Sequence, residues 1–279
     1  MLMKSFLIMT LATSVFATEA GLPKGKLDNL NAKYSTPSGT GSADYVKFQE
    51  FGEYTSPKLE VENYNGLLVF NLTGENEDKS FELDLSALGI TDADRINLSQ
   101  LYFNNSEKKI GLRMASANAR AEDMSTSFNG ASINCNREKV YDDVTDDLLS
   151  ACLKSASISL NNLRLNTGKS EFVSIIPNEY GEGEILGSQI SLDKLRININ
   201  NHSFSGQIKG DVTKGMKVKF EGQTHYFQDK RQVRIKLTKA KAGFINVKKT
   251  LFKELRKAQS DTMKVNAPYI YIQLSESDQ

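Results

Sequence analysis

The sequence predicts a mainly β protein of long, antiparallel, twisted strands, arranged as a curled sheet or a sandwich, with two short helices. Apolar and polar residues alternate with a period of two through most of the chain from Tyr45 onward, as expected of half-buried strands. Turn pairs such as Asn65-Gly66 and Thr73-Gly74 separate the alternating segments. Helical periodicity occurs only near residues 142–154 and 246–260.

The first 17 residues have the pattern of a secretory signal peptide. Lys4 supplies a positive charge ahead of the apolar run at residues 6–12, and small residues precede a cleavage position after Ala17. The run is shorter than the roughly 20 apolar residues that a membrane helix needs. No cysteine directly follows Ala17, which argues against a lipid anchor. We therefore expect a soluble periplasmic or secreted protein with no transmembrane segment.

The rest of the chain divides by composition and charge. Residues 18–44 are rich in Gly, Pro, Ser and Thr, which predicts a flexible N-terminal arm. Residues 18–153 contain 13 basic and 22 acidic side chains, and we call the β-rich part of this region, residues 45–153, the acidic half. Residues 154–279 contain 21 basic and 12 acidic side chains and form the β-rich basic half. Such an imbalance is typical of a basic half that binds an anionic partner, or of two halves that pack together as one domain.

Alternation gives the expected strands in chain order. In the acidic half they are predicted at residues 45–51, 59–61, 67–72, 81–85, 95–103, 110–115 and 127–133. In the basic half they are predicted at residues 158–165, 172–176, 189–199, 204–210, 216–220, 223–227, 232–238 and 263–274.

A short motif recurs within these strands. Residues 158–166 match residues 190–198 at six of nine positions, and looser versions occur at 96–101 and 83–88. Each version places two leucines three residues apart, where strict alternation would put them on opposite faces of the sheet. The motif therefore predicts a bulge in the middle of several long strands.

The two cysteines, Cys135 and Cys152, are expected to form a structural disulfide. An even number of cysteines in an exported chain favours pairing, and the bond would close a loop of about 17 residues. The alternative is two unpaired buried thiols. Within the helix predicted at 142–154, Val144, Leu148 and Cys152 lie on one face, which directs Cys152 towards the core.

No residue pattern indicates catalysis or a metal site. His202 and His225 lie in separate segments without a neighbouring cysteine, so a zinc site is not expected. Neither a nucleophile elbow nor a phosphate-binding glycine loop is present. The acidic residues fit helix capping or solvated turns better than calcium binding: Asp142, Asp143, Asp146, Asp147, Glu182 and Glu184. We expect a protein that is not an enzyme and needs no cofactor or metal.

The strongest surface feature of the sequence is basic. Between Lys209 and Lys264 lie 16 Lys or Arg and five acidic residues. Alternation predicts a cationic sheet face extended by the second helix: Lys217, Lys219, Arg234, Lys236, Lys248, Lys249 and Lys253. Such a face suits anionic lipid head groups, lipopolysaccharide phosphates or other polyanions. Nucleic acid is not expected for an exported protein, and ordinary solvation of edge strands is the alternative.

The end of the chain resembles bacterial tubular lipid-binding (TULIP-like) domains. The order strand 232–238, helix 246–260 and strand 265–274 follows long twisted strands, and the resemblance covers about the last 120 residues. In that family an amphipathic helix packs within a curled sheet beside a hydrophobic groove. The resemblance implies that Val247, Leu251, Phe252 and Leu255 face a lipid chain. Packing of the same residues into a protein core is the alternative.

Together these patterns predict a non-enzymatic, exported binding protein of the cell envelope that binds or carries lipid. The alternative is a structural or adhesive β-sandwich protein that binds another envelope macromolecule. The sequence leaves the ligand, the partner and the oligomeric state open.

Overall fold

The chain folds mainly as β-sheet, which confirms the predicted fold class. The computed structural model describes residues 24–48, 52–64, 67–72, 79–84, 93–121, 124–137, 152–167, 171–173, 184–186, 189–257, 259 and 262–273. The predicted signal peptide and residues 142–151 of the first predicted helix lie outside these ranges; residues 152–154 are helical. Within the described ranges, no helix is long and apolar enough to cross a membrane.

Seven strands form the first part of the main sheet. They are β1 (Gly25–Ser35), β2 (Ser38–Ser42), β3 (Tyr45–Phe48), β4 (Gly52–Thr55), β5 (Lys58–Tyr64), β6 (Leu67–Leu72) and β7 (Lys79–Asp84). One edge of β1 pairs with β2 and then with β3. Strand β3 then pairs with β4, and β2 pairs with β5, which is followed by β6 and β7. All of these pairs are antiparallel.

The flexible arm expected at residues 18–44 is wrong for the part that the structure describes. Residues 25–42 form β1 and β2, and Leu27 and Leu30 of β1 are completely buried. The glycines that suggested flexibility serve close packing instead. A Cβ atom at Gly39 would overlap the backbone carbonyl oxygen of Lys33 on the neighbouring strand.

The second part of the chain adds strands in nearly sequential order. They are β8 (Arg95–Asn105), β9 (Lys109–Ala121), β10 (Met124–Asn136), β11 (Ser155–Thr167), β12 (Glu171–Val173), β13 (Glu184–Leu186) and β14 (Gln189–Asn200). Strand β8 pairs with the second edge of β1, and β9, β10, β11 and β14 follow. Strands β12 and β13 form a separate two-stranded sheet. The β10–β11 pair carries the sheet across the boundary between the acidic and basic halves.

The last part contains six strands and one described helix of more than one turn. They are β15 (Ser203–Gly210), β16 (Val218–Phe227), β17 (Gln232–Ala242), β18 (Ile245–Asn246), α1 (Lys248–Lys257), β19 (Met263–Asn266) and β20 (Tyr269–Gln273). The sheet continues from β14 through β15, β16 and β17 to β20 and β19. Strand β18 pairs with the end of β17.

Two predicted strand boundaries are wrong. The strands expected at 216–220 and 223–227 are one strand, β16, because Gly222 makes room for the ring of Phe204 and does not form a turn. The single strand expected at 263–274 is a tight hairpin of β19 and β20. Its turn contains Pro268, which has no N–H group to donate to a strand partner.

Mid-strand irregularities are present at the predicted segments 96–101, 158–166 and 190–198, and an unpredicted one occurs in β1; the fourth predicted segment, 83–88, lies mostly outside the described residues. Asn29, Gln100 and Asn162 adopt positive φ angles of 53°, 51° and 50°, each within a Leu-x-x-Leu segment. The extra residue turns both leucines of a segment to the buried side; Leu98 and Leu101 are 4% and 1% exposed. The registers of the β1–β8 and β14–β15 pairs shift at these segments.

Aromatic contacts show that the first part of the sheet curls around a core. The Phe48 ring on β3 lies 6.2 Å from Phe103 on β8 and 5.7 Å from Phe81 on β7, measured between centroids. The Phe81 ring also stacks on Phe70 at 4.9 Å. Strands β3 and β7 are separated in the pairing order by β1, β2, β5 and β6, so Phe48 and Phe81 meet because the sheet curls.

The predicted disulfide between Cys135 and Cys152 is confirmed. Its S–S distance is 2.05 Å, and Cys135 at the end of β10 is completely buried. The bond ties β10 to the helical residues 152–154. The Thr224 hydroxyl on β16 donates to the Leu153 carbonyl oxygen at 2.6 Å, so this short segment is held from two sides.

Candidate anion-binding surface

Alternation along β17 separates apolar from cationic side chains. Val233, Ile235 and Leu237 are each 5% exposed and belong to the core, whereas Arg234 and Lys236 between them lie on the opposite, outward face. The two cations are half-buried because neighbouring side chains cover their stems. The structure therefore places these two predicted residues together on one face.

The outward face continues onto β16 and extends farther along β17 than predicted. Lys219 on β16 lies directly opposite Lys241 on β17. A bulge at Thr238 inserts one extra residue, so Lys239 and Lys241 stay on the same face as Lys236. The sequence prediction missed these two lysines because it ended the strand at residue 238. We call the set Lys219, Arg234, Lys236, Lys239 and Lys241 the basic face.

Aromatic rings hold part of the basic face in place. The Arg234 guanidinium lies 5.0 Å from the ring centroid of Phe227 and 5.6 Å from that of Tyr269. The Lys236 ammonium lies 6.0 Å from the same Tyr269 ring. Cations over aromatic faces are favourably placed and lose rotational freedom before a ligand arrives. This part of the basic face is consequently preorganised.

Acidic neighbours neutralise only a small part of this surface. Lys239 forms a salt bridge with Glu221 at 2.6 Å. Within the described chain, no acidic side chain pairs with Lys217, Lys219 or Lys241, which are all exposed. The direct opposition of Lys219 and Lys241 is unfavourable in the free protein, since like charges across a strand pair repel. An anion placed between them would relieve that repulsion.

Helix α1 adds cations beside the basic face. The side-chain oxygen of Asn246 accepts a hydrogen bond from the Lys248 backbone N–H at 3.0 Å, as expected of the predicted N-cap. The Lys248 ammonium donates to the Thr238 carbonyl oxygen at 3.3 Å, which fixes this side chain next to the bulge. Lys249 and Lys253 are exposed on the helix. The helix ends at Lys257, three residues before the predicted end.

The apolar stripe of α1 is packed into the protein. Val247, Phe252 and Leu255 are 0%, 3% and 4% exposed and belong to the same core as the buried residues of β17 and β19. Leu251 is partly buried against that core. A lipid chain would reach these four side chains only if the helix moved away from the sheet.

The two histidines lie closer together than their sequence positions suggested. Their ring centroids are 6.4 Å apart. His202 and Asn201 have positive φ angles and form the two-residue turn between β14 and β15, in agreement with the predicted turn. His225 lies beside Phe227 on the outward side of β16. In the described ranges, no group of three or more His, Cys, Asp or Glu side chains is arranged to hold a metal ion.

The acidic residues considered for calcium or catalysis have no described structure. The aspartates at 142–147 and Glu182 lie outside the described ranges, and for Glu184 only the backbone, in β13, is described.

Comparison with known proteins adds no relative to this description. No family model, no curated protein and no solved structure matches the chain. The similarity of the C-terminal half to tubular lipid-binding domains therefore stays a prediction. The fold and the surface alone define a β-sheet protein with a preorganised, cationic outward face.

Proposed function

We propose that this chain is a non-enzymatic, exported binding protein of the cell envelope whose basic face binds anionic lipid head groups. The observation that carries the proposal is the collection of Lys219, Arg234, Lys236, Lys239 and Lys241 on one face of two paired strands, where the described chain pairs one acidic side chain, Glu221, with this set. Each lysine near an anionic bilayer contributes on the order of 1 kcal/mol to binding. Several lysines on a rigid sheet therefore suffice for a measurable affinity.

The test is binding of residues 18–279 to lipid vesicles. We expect the protein to sediment with vesicles that contain phosphatidylglycerol and to stay in solution with pure phosphatidylcholine. The triple variant Lys219→Glu, Lys236→Glu and Lys241→Glu should bind the anionic vesicles at least about 100-fold more weakly, since three lysines contribute about 3 kcal/mol.

A matched control separates the position of the charges from their number. Lys33→Glu, Lys58→Glu and Lys109→Glu change the net charge equally, on exposed strand positions within residues 18–153. Lys47 is left unchanged because its ammonium donates to the Glu53 carboxylate at 3.0 Å and lowers the pKa of Glu53. This control should retain binding. Equal loss of binding in both triple variants would contradict a specific basic face.

Lipid carriage is the second part of the hypothesis and needs a separate measurement. Native mass spectrometry of gently purified protein would show an added lipid-sized mass if the helix and the sheet hold a lipid chain. If the measured mass is that of the protein alone and the protein still binds vesicles, the proposal is restricted to recognition of lipid head groups.

A structural or adhesive envelope protein is the second candidate function. The observation that favours it is the packed stripe of α1, because Val247, Phe252 and Leu255 already fill the space beside the sheet. Failure of both vesicle binding and lipid co-purification would make this candidate the leading one.

A further inference from the structure

The hairpin between β17 and β18 exposes two large apolar side chains. Phe244 is 102% exposed and Ile245 is 53% exposed. Ala242 pairs with Ile245, so the turn consists of Gly243 and Phe244 alone, and Gly243 has a φ of +57° that suits the first position of such a turn. Gly243 satisfies the backbone requirement, and the second turn position imposes no need for an aromatic residue. Phe244 therefore contributes nothing to the fold that a polar residue could not supply.

Four lysines lie close to this turn in the strand register or in the sequence. Val218 pairs with Ala242, which brings Lys217 to within a residue or two of the turn in the strand register. Lys219 and Lys241 lie one pair farther along, and Lys249 lies at the start of α1, which follows β18 directly. All four lysines are exposed, and no described acidic side chain forms a salt bridge with them. We call these four residues the lysine collar.

We propose that Phe244 and Ile245 insert into the interfacial layer of an anionic bilayer while the lysine collar contacts the lipid phosphates. This inference deepens the proposed function and rests on it. Exposed aromatic and aliphatic side chains favour the interface between head groups and hydrocarbon, where they leave water without a need for hydrogen bonds. Lysines around them gain from the negative surface potential of the same bilayer.

Charge favours a bilayer over a protein partner as the occupant. The centres of protein interfaces are depleted in charged residues, and lysine in particular is disfavoured there. In this surface the hairpin carries two apolar side chains, and the nearby lysines lie on β17, at the start of β16 and on the helix. A bilayer accepts both at once, because its phosphates lie a few ångströms above its hydrocarbon.

The absence of tryptophan from the chain allows a direct test. Phe244→Trp introduces a single fluorophore at the turn, and Tyr64→Trp introduces one at another exposed apolar position, 57% exposed on β5. Both variants of residues 18–279 are mixed with phosphatidylcholine vesicles with and without phosphatidylglycerol. We expect emission from Trp at position 244 to shift to shorter wavelength with anionic vesicles and to be quenched by brominated lipid chains. Emission from Trp at position 64 should not change.

The possible outcomes separate insertion from simple electrostatic docking. Sedimentation with anionic vesicles without any change in emission at position 244 would overturn insertion and leave the proposed function intact. No sedimentation at all would overturn both. If the protein dimerises without lipid and Phe244→Ser abolishes the dimer, a second copy of the chain covers the turn. That result would also overturn insertion.

A second variant measures the contribution of the two apolar side chains. Phe244→Ser combined with Ile245→Thr should weaken binding to anionic vesicles about tenfold or more, because the substituted side chains lose the gain from leaving water. Far-ultraviolet circular dichroism and the thermal midpoint should match those of the unsubstituted protein, since both side chains are exposed. Unchanged binding would contradict the proposal.

Discussion

Two phenylalanines and two glycines on neighbouring strands pack reciprocally. Phe204 on β15 lies opposite Gly222 on β16, and Gly206 lies opposite Phe220 in the same pair of strands. A Cβ atom at either glycine would overlap the opposite ring, and the two rings themselves lie 6.1 Å apart. Each ring thus covers the backbone that its glycine leaves bare. The sequence alone cannot predict this packing, because it does not distinguish a glycine covered by a ring within a strand from a glycine in a turn.

We expect Gly222→Ala to destabilise the protein by about 3 kcal/mol, at the upper end of the usual cost of overpacking, since the new methyl group would overlap both Phe204 and the Lys236 carbonyl oxygen. Urea unfolding measures the change. Gly111→Ala is the control, because its new Cβ would meet only the side-chain oxygen of Asn134, at 3.2 Å. The control should stay within about 0.5 kcal/mol of the starting protein. A similar loss in both variants would refute the explanation.

Helix α1 shows how far a single element could be predicted. The periodicity of Val247, Leu251 and Leu255 identified its apolar side, and Asn246 identified its start. What the stripe contacts depends on which strands come together over long sequence distances. A groove-lining stripe and a core-filling stripe have the same periodicity, so the sequence left both open. Similarly, the Leu-x-x-Leu spacing predicted the bulges, whereas the bulge at Thr238 carries no such spacing.

We expect Phe252→Ala to cost about 3–5 kcal/mol of unfolding free energy, the usual loss for a phenylalanine in a packed core. Lys249→Ala on the exposed side of the helix should change stability by less than about 0.5 kcal/mol. Urea unfolding of both variants gives the comparison. A small loss for Phe252→Ala would indicate that the side chain borders an open groove, and would strengthen the lipid-carriage hypothesis.

Across the whole molecule, strand order separates the charges. Strands β1–β10 belong to the half with the acidic excess, and β11–β20 belong to the basic half. Because pairing proceeds from β10 to β11 and on to β19, the two halves lie on opposite sides of the β10–β11 pair. The sequence predicted this imbalance from composition. It could not predict that one sheet would carry both halves, since that depends on the register of two long strands.

We expect residues 18–279 to bind both anion- and cation-exchange resins near neutral pH, although their 34 basic and 34 acidic side chains cancel. At about 0.01 M salt the screening length is about 30 Å, and each half then acts with its own charge. The triple variant of Lys219, Lys236 and Lys241 should lose most retention on the cation exchanger and keep retention on the anion exchanger. If the unsubstituted protein passed through both columns without binding, the prediction that the two halves carry separate charges would be contradicted.

The position of β1 has a consequence for the order in which the chain can fold. Strand β1 pairs with β2 and β3 immediately after it, but its other edge waits for β8, whose last paired residue is Asn105. If the chain leaves a membrane pore N-terminus first, this edge stays open until about seventy residues beyond β1 have emerged. Contacts between distant segments form slowly, so we expect β1–β8 pairing to be a slow step of folding. Until then the incomplete sheet has an unpaired hydrogen-bonding edge, which another strand or another chain could pair with.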